Sequence, residues 1–279
     1  MRGRRLGVEL RSLRHRARLQ QQDVAAELGV HAATVGRVEG GLSGSPELVA
    51  SLLKLYGLPE QDPRFEALMT LARQRDIRGW WRMWDHATNA AYREYIALET
   101  TATDVLIFQP NLIPGLFQTA DYARTIISSV DMAPADSVAP QVELRMARQS
   151  VLSQPNAPRI TAIIGAAALQ AVIPDGGMEA QARALVHAAA RPNVDVRVLP
   201  ARTPAHPGLT GGFSLLRFAE GPEFDVVYME YATGSLYVED PAEVSRYAQA
   251  HALLLSLALS AEASREYLTR IAEGSSEHH

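Results

Sequence analysis

Apolar residues in the first sixty positions recur with the spacing of short amphipathic helices. Leu6, Leu10 and Leu13 line one face of a first helix. From position 19 to 41 the chain reads LQQQDVAAELGVHAATVGRVEGG. Val24, Ala25 and Leu28 fall on one side of a helix over residues 21–28. Gly29 follows as a helix C-terminal residue that takes positive φ without steric cost, and Val30 plugs the corner. A second helix over residues 31–39 turns Val35 and Val38 inward, and small Ala25 sits where the two helices approach. Two short helices joined by a tight turn make a helix-turn-helix, whose second helix enters the DNA major groove.

Beyond this region Pro59 and Pro63 precede a helix through Phe65, Leu68, Met69 and Leu71, ending near Arg78 and Gly79. From Tyr92 strand and helix patterns alternate irregularly. The predicted strands are 104–109, 159–164, 194–199, 212–218, 224–231 and 235–238. The predicted helices are 92–101, 119–129, 138–152, 166–172, 178–190, 241–259 and 261–272. Asp240 with Pro241 gives an N-cap followed by proline at the first helical position, and Ser260 opens the last helix. The last three strands follow closely enough for an antiparallel meander, whereas helices separate the earlier ones. The fold class is therefore an all-α N-terminal helix-turn-helix domain of four to five helices, then a larger α+β domain with a mixed sheet. The expected boundaries are 1–75 for the first, 76–100 for an aromatic-rich connecting helix region, and 101–279 for the second.

Composition narrows the setting. At 279 residues the chain is long enough for a small domain and one of ordinary size. Cysteine is absent, which excludes disulfides and thiolate metal sites and fits a reducing cytoplasm. No apolar run reaches the roughly 18–20 residues that span a bilayer, and MRGRRLGVELRSLRHR lacks the apolar core of a signal peptide. The expected location is cytoplasmic and nucleoid-associated, with no membrane partner. Residues 1–40 carry eight arginines against four acids, while the whole chain is at −4, so the remainder carries −8. A basic end on an acidic body suits a protein that presents one end to DNA. Lys54 is the sole lysine; with the abundance of alanine this suggests a high-GC genome. The final GSSEHH is either a native tail or a tag remnant.

Residues 5–57 resemble a helix-turn-helix of the Xre type, the lambda-repressor-like class of the lambdoid phage repressors and Cro. The matching residues are Leu10, Leu13 and Arg14 on a first helix, Gln21 opening the second, Glu39-Gly40-Gly41 ending the recognition helix, and Leu48, Leu52, Leu53 and Tyr56-Gly57 on a closing helix. The resemblance implies that Gln21 clamps the DNA backbone and that Arg14 and Glu39 form a structural ion pair. Truncating one partner of such a buried pair costs roughly 3–5 kcal/mol. Base readout falls to the outward face of the recognition helix: His31, Ala32, Ala33, Thr34 and Arg37. Ala32 and Ala33 offer only methyl contacts. Arg37 can contact guanine O6 and N7 bidentately, worth about 1–3 kcal/mol of discrimination, or it meets a phosphate or solvent. Thr34 suits a base or a phosphate, His31 is a helix-start residue, and Ser43 and Ser45 lie where loop hydroxyls meet the backbone.

A second resemblance begins with FQPNLIPGLFQTADYAR at 108–124. It is similar to the signature of the C-terminal domain attached to Xre units in actinobacterial, antitoxin-like regulators. Related pieces follow: RMARQSVL at 145–152, AAALQAVI at 166–173, NVDVRVLP at 193–200, HPGLTGGFSLLRF at 206–218 and VVYMEYATGSLYVED at 226–240. The resemblance implies a regulator, often paired with a small acidic partner protein, in developmental or antibiotic-related control. Read physically, Pro114-Gly115 suits the centre of a type II turn. Gln118 and Thr119 then open a helix whose N–H groups either serve the turn or greet an anion or a partner's carboxylate.

Candidate polar residues in this domain are Glu99, Arg124, Arg145, Arg148, His206, Glu230 and Asp240. His206, in a loop, could form part of an acid–base pair with Glu230, but a hydrogen-bonded loop histidine is the favoured reading. No G-x-S-x-G elbow, H-E-x-x-H helix, Walker loop or dinucleotide fingerprint occurs, so neither catalysis, cofactor nor metal is expected. GLTGG at 208–212 reads as a bend into a strand. Arg145 and Arg148, three apart on one helix face, suit an acidic partner, acids of their own domain, or a regulatory pocket shared with the strand bearing Glu230. Trp80, Trp81 and Trp84 cluster in a short span and favour a domain or subunit interface over a ligand wall. Arg145, Arg148, His206, Glu230 and Trp81 make up the candidate ligand or partner site. The sequence thus predicts a regulator that binds double-stranded DNA as a homodimer on a palindromic operator, with a second domain for dimerisation and for sensing a small-molecule effector or partner. The alternative is an antitoxin-like protein that chiefly sequesters a small partner and binds DNA for autoregulation.

Overall fold

A computed structural model describes residues 2–40, 45–74, 84, 88–129, 133–219, 221–231 and 234–274. They belong to two compact units, Met1–Gly79 and Trp80–His279. The first holds α1 (Arg2–Arg16), α2 (Gln21–Leu28), α3 (Ala32–Glu39), α4 (Pro46–Leu55) and α5 (Pro63–Gln74). Its core is the stripe read from the sequence: Leu6, Leu10 and Leu13 of α1, Val24, Val35, Val38, Leu52 and Leu53 are all buried. Each such side chain contributes about 1.5–3 kcal/mol when fully removed from water. Leu28 and Val30, expected inside, are only half-buried. They flank Gly29, whose left-handed backbone (φ 65°) ends α2 and turns the chain outward, with the Val30 N–H donating to Ala25 O at 3.0 Å. Ser45 caps α4, its hydroxyl accepting from the Leu48 N–H at 3.3 Å. That uses one acceptor position of the hydroxyl expected to face DNA and leaves its O–H able to donate. The end of the helix after Gln74 lies outside the described residues.

The second unit begins with α6 (Ala90–Glu99), so the helix expected in a connecting region is part of this body and supplies Tyr95 and Leu98 to its core. There follow β1 (Asp104–Gln109), α7 (Ala120–Ser129), α8 (Ala135–Arg148), β2 (Arg159–Gly165), α9 (Gly177–Ala189), β3 (Val194–Leu199), β4 (Phe213–Arg217), β5 (Val226–Tyr231), β6 (Gly234–Val238), α10 (Pro241–Leu257) and α11 (Ala261–Ala272). The six strands form one mixed sheet in the order β3-β2-β1-β4-β5-β6. β1, β2 and β3 are parallel, and β4, β5 and β6 form the expected antiparallel meander, with β4 antiparallel to β1. Alternation along the strands divides the core. Val105, Ile107, Ile160, Ala162 and Val196 face Tyr122, Leu185 and Leu268 of α7, α9 and α11. Phe108, Ile163, Leu215 and Val227 face Val244 and Leu254 of α10. Helices thus cover both faces of the sheet.

Two expectations fail locally. The alanine-rich stretch 166–172 is not an α-helix: only Ala166–Leu169 turns, as a 3-10 helix. Pro174 follows within a few residues and disfavours helical backbone at the residue before it. Pro114-Gly115 is not a type II turn either. Pro114 has φ −54° and ψ 137°, but Gly115 opens a 3-10 turn, Gly115–Phe117, and its φ is not positive. The Arg148 guanidinium lies close to this glycine: a Cβ there would sit 3.2 Å from Nη1, a tight contact to which the arginine would have to yield.

Candidate nucleic-acid interface and a cavity in the second unit

In the first unit the outward face of α3 is fixed from behind by a buried ionic cluster. Glu39, in the last turn of α3, is 2% exposed and Arg14 is 6% exposed. The guanidinium grips the carboxylate with two hydrogen bonds, Nε to Oε1 at 2.7 Å and Nη2 to Oε2 at 2.9 Å. Arg14 Nη1 also donates to Leu19 O at 2.9 Å, tying in the connection between α1 and α2. Two further donors reach Glu39: Gln21 Nε2 at 3.0 Å and the Tyr56 hydroxyl at 3.0 Å. One carboxylate therefore joins α1, α2, α3 and the end of α4. Burial works to raise the Glu39 pKa, yet the hydrogen bonds from Arg14, Gln21 and Tyr56 together hold it below the usual carboxylate range. Burial, followed by the Glu39 charge, pushes the Tyr56 phenol well above its ordinary value.

The Gln21 amide, expected to face phosphate, is turned inward in this structure. A Cβ on Gly36 would sit 3.4 Å from Gln21 Oε1, an ordinary contact, so this side chain lies directly against α3. The N-terminus of α2 is braced by Asp23, whose carboxylate accepts from the Gln20 N–H at 2.8 Å. Of the proposed reading residues, His31, Ala33 and Arg37 are exposed and Ala32 and Thr34 are half-buried. His31 precedes the helix in an extended conformation and makes no side-chain cap. Arg37 Nη2 donates to Thr34 Oγ1 at 3.2 Å, which holds the longest side chain of the face along the helix surface. Ser43 lies outside the described residues. The sequence named Tyr56 only as part of the closing helix; that its hydroxyl reaches Glu39 could not be read from it.

In the second unit Arg145, Arg148 and Glu230 line one cavity of about 960 Å³. It opens where Gln109 at the end of β1, Ser214 near the start of β4 and Tyr228 in the middle of β5 come together. β1 is where the strand order reverses, because the chain runs outward to β3 and then returns to place β4 on the other side of β1. In open sheets with parallel strands such a reversal leaves a crevice beyond the strand ends that serves as a ligand site. Arg148 is 5% exposed and makes a bidentate pair with Glu99, which is 1% exposed; it also donates to the Tyr92 hydroxyl at 2.8 Å. Burial alone would lower its pKa, but Glu99 raises it well above the ordinary value. Its guanidinium carbon lies 4.8 Å from the Tyr95 ring centre. The Tyr95 and Tyr228 rings are 4.3 Å apart, and the Tyr228 hydroxyl donates to Glu230 Oε1 at 2.7 Å. A continuous chain of contacts thus runs from Arg148 to Glu230. Burial pushes the Tyr95 and Tyr228 phenols above the ordinary range, and Glu99 and Glu230 respectively act in the same direction. Both remain neutral hydrogen-bonding groups at physiological pH.

One turn back on α8, Arg145 Nη1 donates to Gln118 Oε1 at 2.8 Å, and Gln118 Nε2 donates to Ile113 O at 2.7 Å. The Thr119 N–H, which the sequence assigned either to the turn or to an anion or partner carboxylate, is taken by Gln181 Oε1 at 2.8 Å, while Gln181 Nε2 donates to Phe117 O at 2.7 Å. Gln181 is wholly buried on α9, and nothing in its local sequence announces that it clamps this loop. His206 is not among the cavity's lining residues. Its ring stands edge-on to Phe108, with centres 6.2 Å apart, and Phe108 packs on the α10 side of the sheet. The suggested His206–Glu230 pair is therefore replaced by Tyr228–Glu230. Trp81 lies outside the described residues, and Trp84 Nε1 donates to Glu143 Oε2 at 3.4 Å.

Two comparisons bear on this architecture. The family described as Domain of unknown function (DUF5753) matches residues 92–270, and the Helix-turn-helix domain family matches residues 5–65. No curated protein and no solved structure matches the chain. No helix among the described residues is long and apolar enough to cross a membrane.

Proposed function

The chain belongs to the DUF5753 family and carries a helix-turn-helix DNA-binding domain at its head, and on that premise we propose that it is a sequence-specific transcriptional regulator. It binds a palindromic operator as a homodimer of the Xre type, and its second unit senses a small ligand. The observation that carries the DNA reading is the exposed face of α3, bearing Arg37 and Thr34, on a helix locked by the buried Arg14–Glu39 pair. The charge distribution agrees. The first unit, with 13 lysines and arginines against nine acids, stands at +4; the second, with 14 arginines against 22 acids, stands at −8. DNA affinity depends on the local field at the groove, which the basic head supplies.

Selection of bound fragments from genomic DNA by the purified full chain tests the proposal. A recurrent palindrome is expected, with half-sites about one helical turn apart. Affinity for it should fall linearly with log salt. Arg37→Ala should relax preference at one base pair by about 1–3 kcal/mol, whereas Gln21→Ala, which removes a donor to Glu39 behind α3, should weaken all sequences alike. Recovery of random fragments, salt-independent binding, or unchanged specificity in Arg37→Ala would refute the assignment.

A further inference from the structure

We propose that the cavity of the second unit binds an amine-bearing, hydroxyl-rich small molecule, its ammonium group seated on Glu230 against the tyrosine cluster. The proposal deepens the reading of this unit as a sensor.

The choice of ligand class follows from what lines the walls. A volume of about 960 Å³ is at the upper end of the roughly 300–1,000 Å³ of drug-sized sites, too roomy for a simple ion or a single amino acid. The lining is not that of a greasy pocket. Asn89, Gln109, Gln118 and Gln141 contribute amides, and Ser137, Ser214 and Ser235 contribute hydroxyls. Each amide offers both donor and acceptor, which matches alcohols, sugars and other compounds dense in oxygen. Several of these groups hold one another or the backbone, Gln118 on Ile113 O and Arg145, Gln141 on Ser137, and Asn89 on the Tyr92 N–H, so they form a preformed polar wall whose remaining donor and acceptor positions suit a polar ligand.

Charge then places the ammonium group: the cavity is lined by Arg145, Arg148 and Glu230, and of these Glu230 attracts a cation. Arg148 is already neutralised by Glu99, so its charge is spent within the fold. Glu230 reaches the lining from β5 as an exposed carboxylate held by the Tyr228 hydroxyl. Tyr95, Tyr228 and Tyr231 line the same space; the first two are buried against Arg148 and each other, while Tyr231 is 60% exposed, and a tyrosine face attracts an ammonium group through the ring quadrupole. Arg148 lies within 5.5 Å of the Tyr92 ring centre and 4.8 Å of Tyr95, so this cluster already holds one cation by that interaction. The surrounding unit, at −8, raises the local concentration of cations and repels polyanions such as nucleotides. Arg145, on the α8 side, faces the oxygen-rich part of the ligand, with Gln118 fixing its guanidinium.

Titration calorimetry on the full chain tests the assignment, with the glucosamine trisaccharide as the amine probe and its fully N-acetylated form as the uncharged match. The amine form should bind at least tenfold more tightly than the acetylated one. Glu230→Gln should reduce the amine form's affinity tenfold or more. Glu223→Gln removes the same charge from an exposed position outside the cavity and should leave affinity unchanged. Tyr228→Phe keeps the ring and loses the hydroxyl that orients Glu230, so it should fall between wild type and Glu230→Gln. Equal binding of the two saccharides, no effect of Glu230→Gln, or no heat from the amine probe at millimolar concentration would overturn the proposal. Operator affinity measured on the same samples separates the two readings. Binding of the amine probe without any change in operator affinity would uphold this site and sink the sensor role. Intact operator binding with no heat from the probe would sink this site and leave the DNA reading standing.

Discussion

Replacing Arg14 by methionine isolates what the buried ionic cluster does for the first unit. In the native arrangement Glu39 accepts four hydrogen bonds, two of them from the guanidinium. After the substitution only the neutral donors of Gln21 and Tyr56 remain, Leu19 O loses a partner, and a carboxylate only 2% exposed is left without its counter-charge. Breaking a buried pair from one side costs about 3–5 kcal/mol. A unit spanning Met1–Gly79 has a total stability of about 4–12 kcal/mol at roughly 0.05–0.15 kcal/mol per residue. The loss is thus a large share of the whole. The cost should also depend on pH. In wild type the folded Glu39 pKa is depressed, so the pair stabilises above the unfolded carboxylate value, and that contribution is lost as pH falls through the folded value. In Arg14→Met the stranded carboxylate protonates more readily, so the gap between variant and wild type should narrow from pH 7 towards pH 4. All three tryptophans lie in the second unit and do not report on this change. Hydrogen exchange by mass spectrometry on peptides from α1 to α4 does. At 1.36 kcal/mol per tenfold, exchange should accelerate roughly 10²–10⁴-fold. The double variant Arg14→Met/Glu39→Gln should recover about 0.5–3 kcal/mol of it, the range of direct coupling energies. Exchange within threefold of wild type, or a double variant no better than the single one, would refute the reasoning.

Other outcomes follow from the same structure. Arg148→Met strands Glu99 and should cost about 3–5 kcal/mol in thermal unfolding of the second unit, followed by tryptophan fluorescence. Arg148→Lys should rescue little, because an ammonium cannot both grip the carboxylate bidentately and stack on two tyrosine rings. Asp240 caps α10 by accepting from the Ala242 and Glu243 N–H groups, both at 3.0 Å, so Asp240→Ala should cost about 0.5–2 kcal/mol and speed exchange in the first turn of that helix. Hydrogen bonds from the Arg64 side chain and then its backbone hold the Asp62 carboxyl down to about 2. Carbon-detected NMR titration should show it ionised throughout ordinary acid conditions, and Arg64→Ala should return it towards 3.8.

Local patterning carried the secondary structure because it is written over short distances. The runs at 104–109 and 194–199 alternate or concentrate β-branched residues and became β1 and β3 with those limits. What escaped depends on residues far apart in the chain. That β4 returns beside β1 cannot be read from either strand, yet this return creates the reversal at which the cavity opens. Gly115 looks like a turn residue until Arg148 is seen against it, and the Gln21 amide looks free until Glu39 is beside it. Alanine's helix propensity favoured 166–172 as a helix, and chain context limited it to a single turn. Arg145, Arg148 and Glu230 were legible as candidates from their chemistry, and topology brings all three to one cavity. His206, for which an ordinary loop histidine was the favoured reading, lies elsewhere, because β1 directs Phe108 to the opposite face and His206 packs on Phe108.

The pairing of Asp104 with Arg217 across β1 and β4 also sets an order of events during synthesis. The helix-turn-helix core is complete once residue 79 has left the ribosome, whereas the centre of the sheet cannot close until β4 emerges. At about 5–20 residues per second that interval lasts roughly 7–30 s. For that time a nascent chain has a folded head and no cavity. A message cut short before β4 would therefore yield the first unit without the closed sheet and without its cavity.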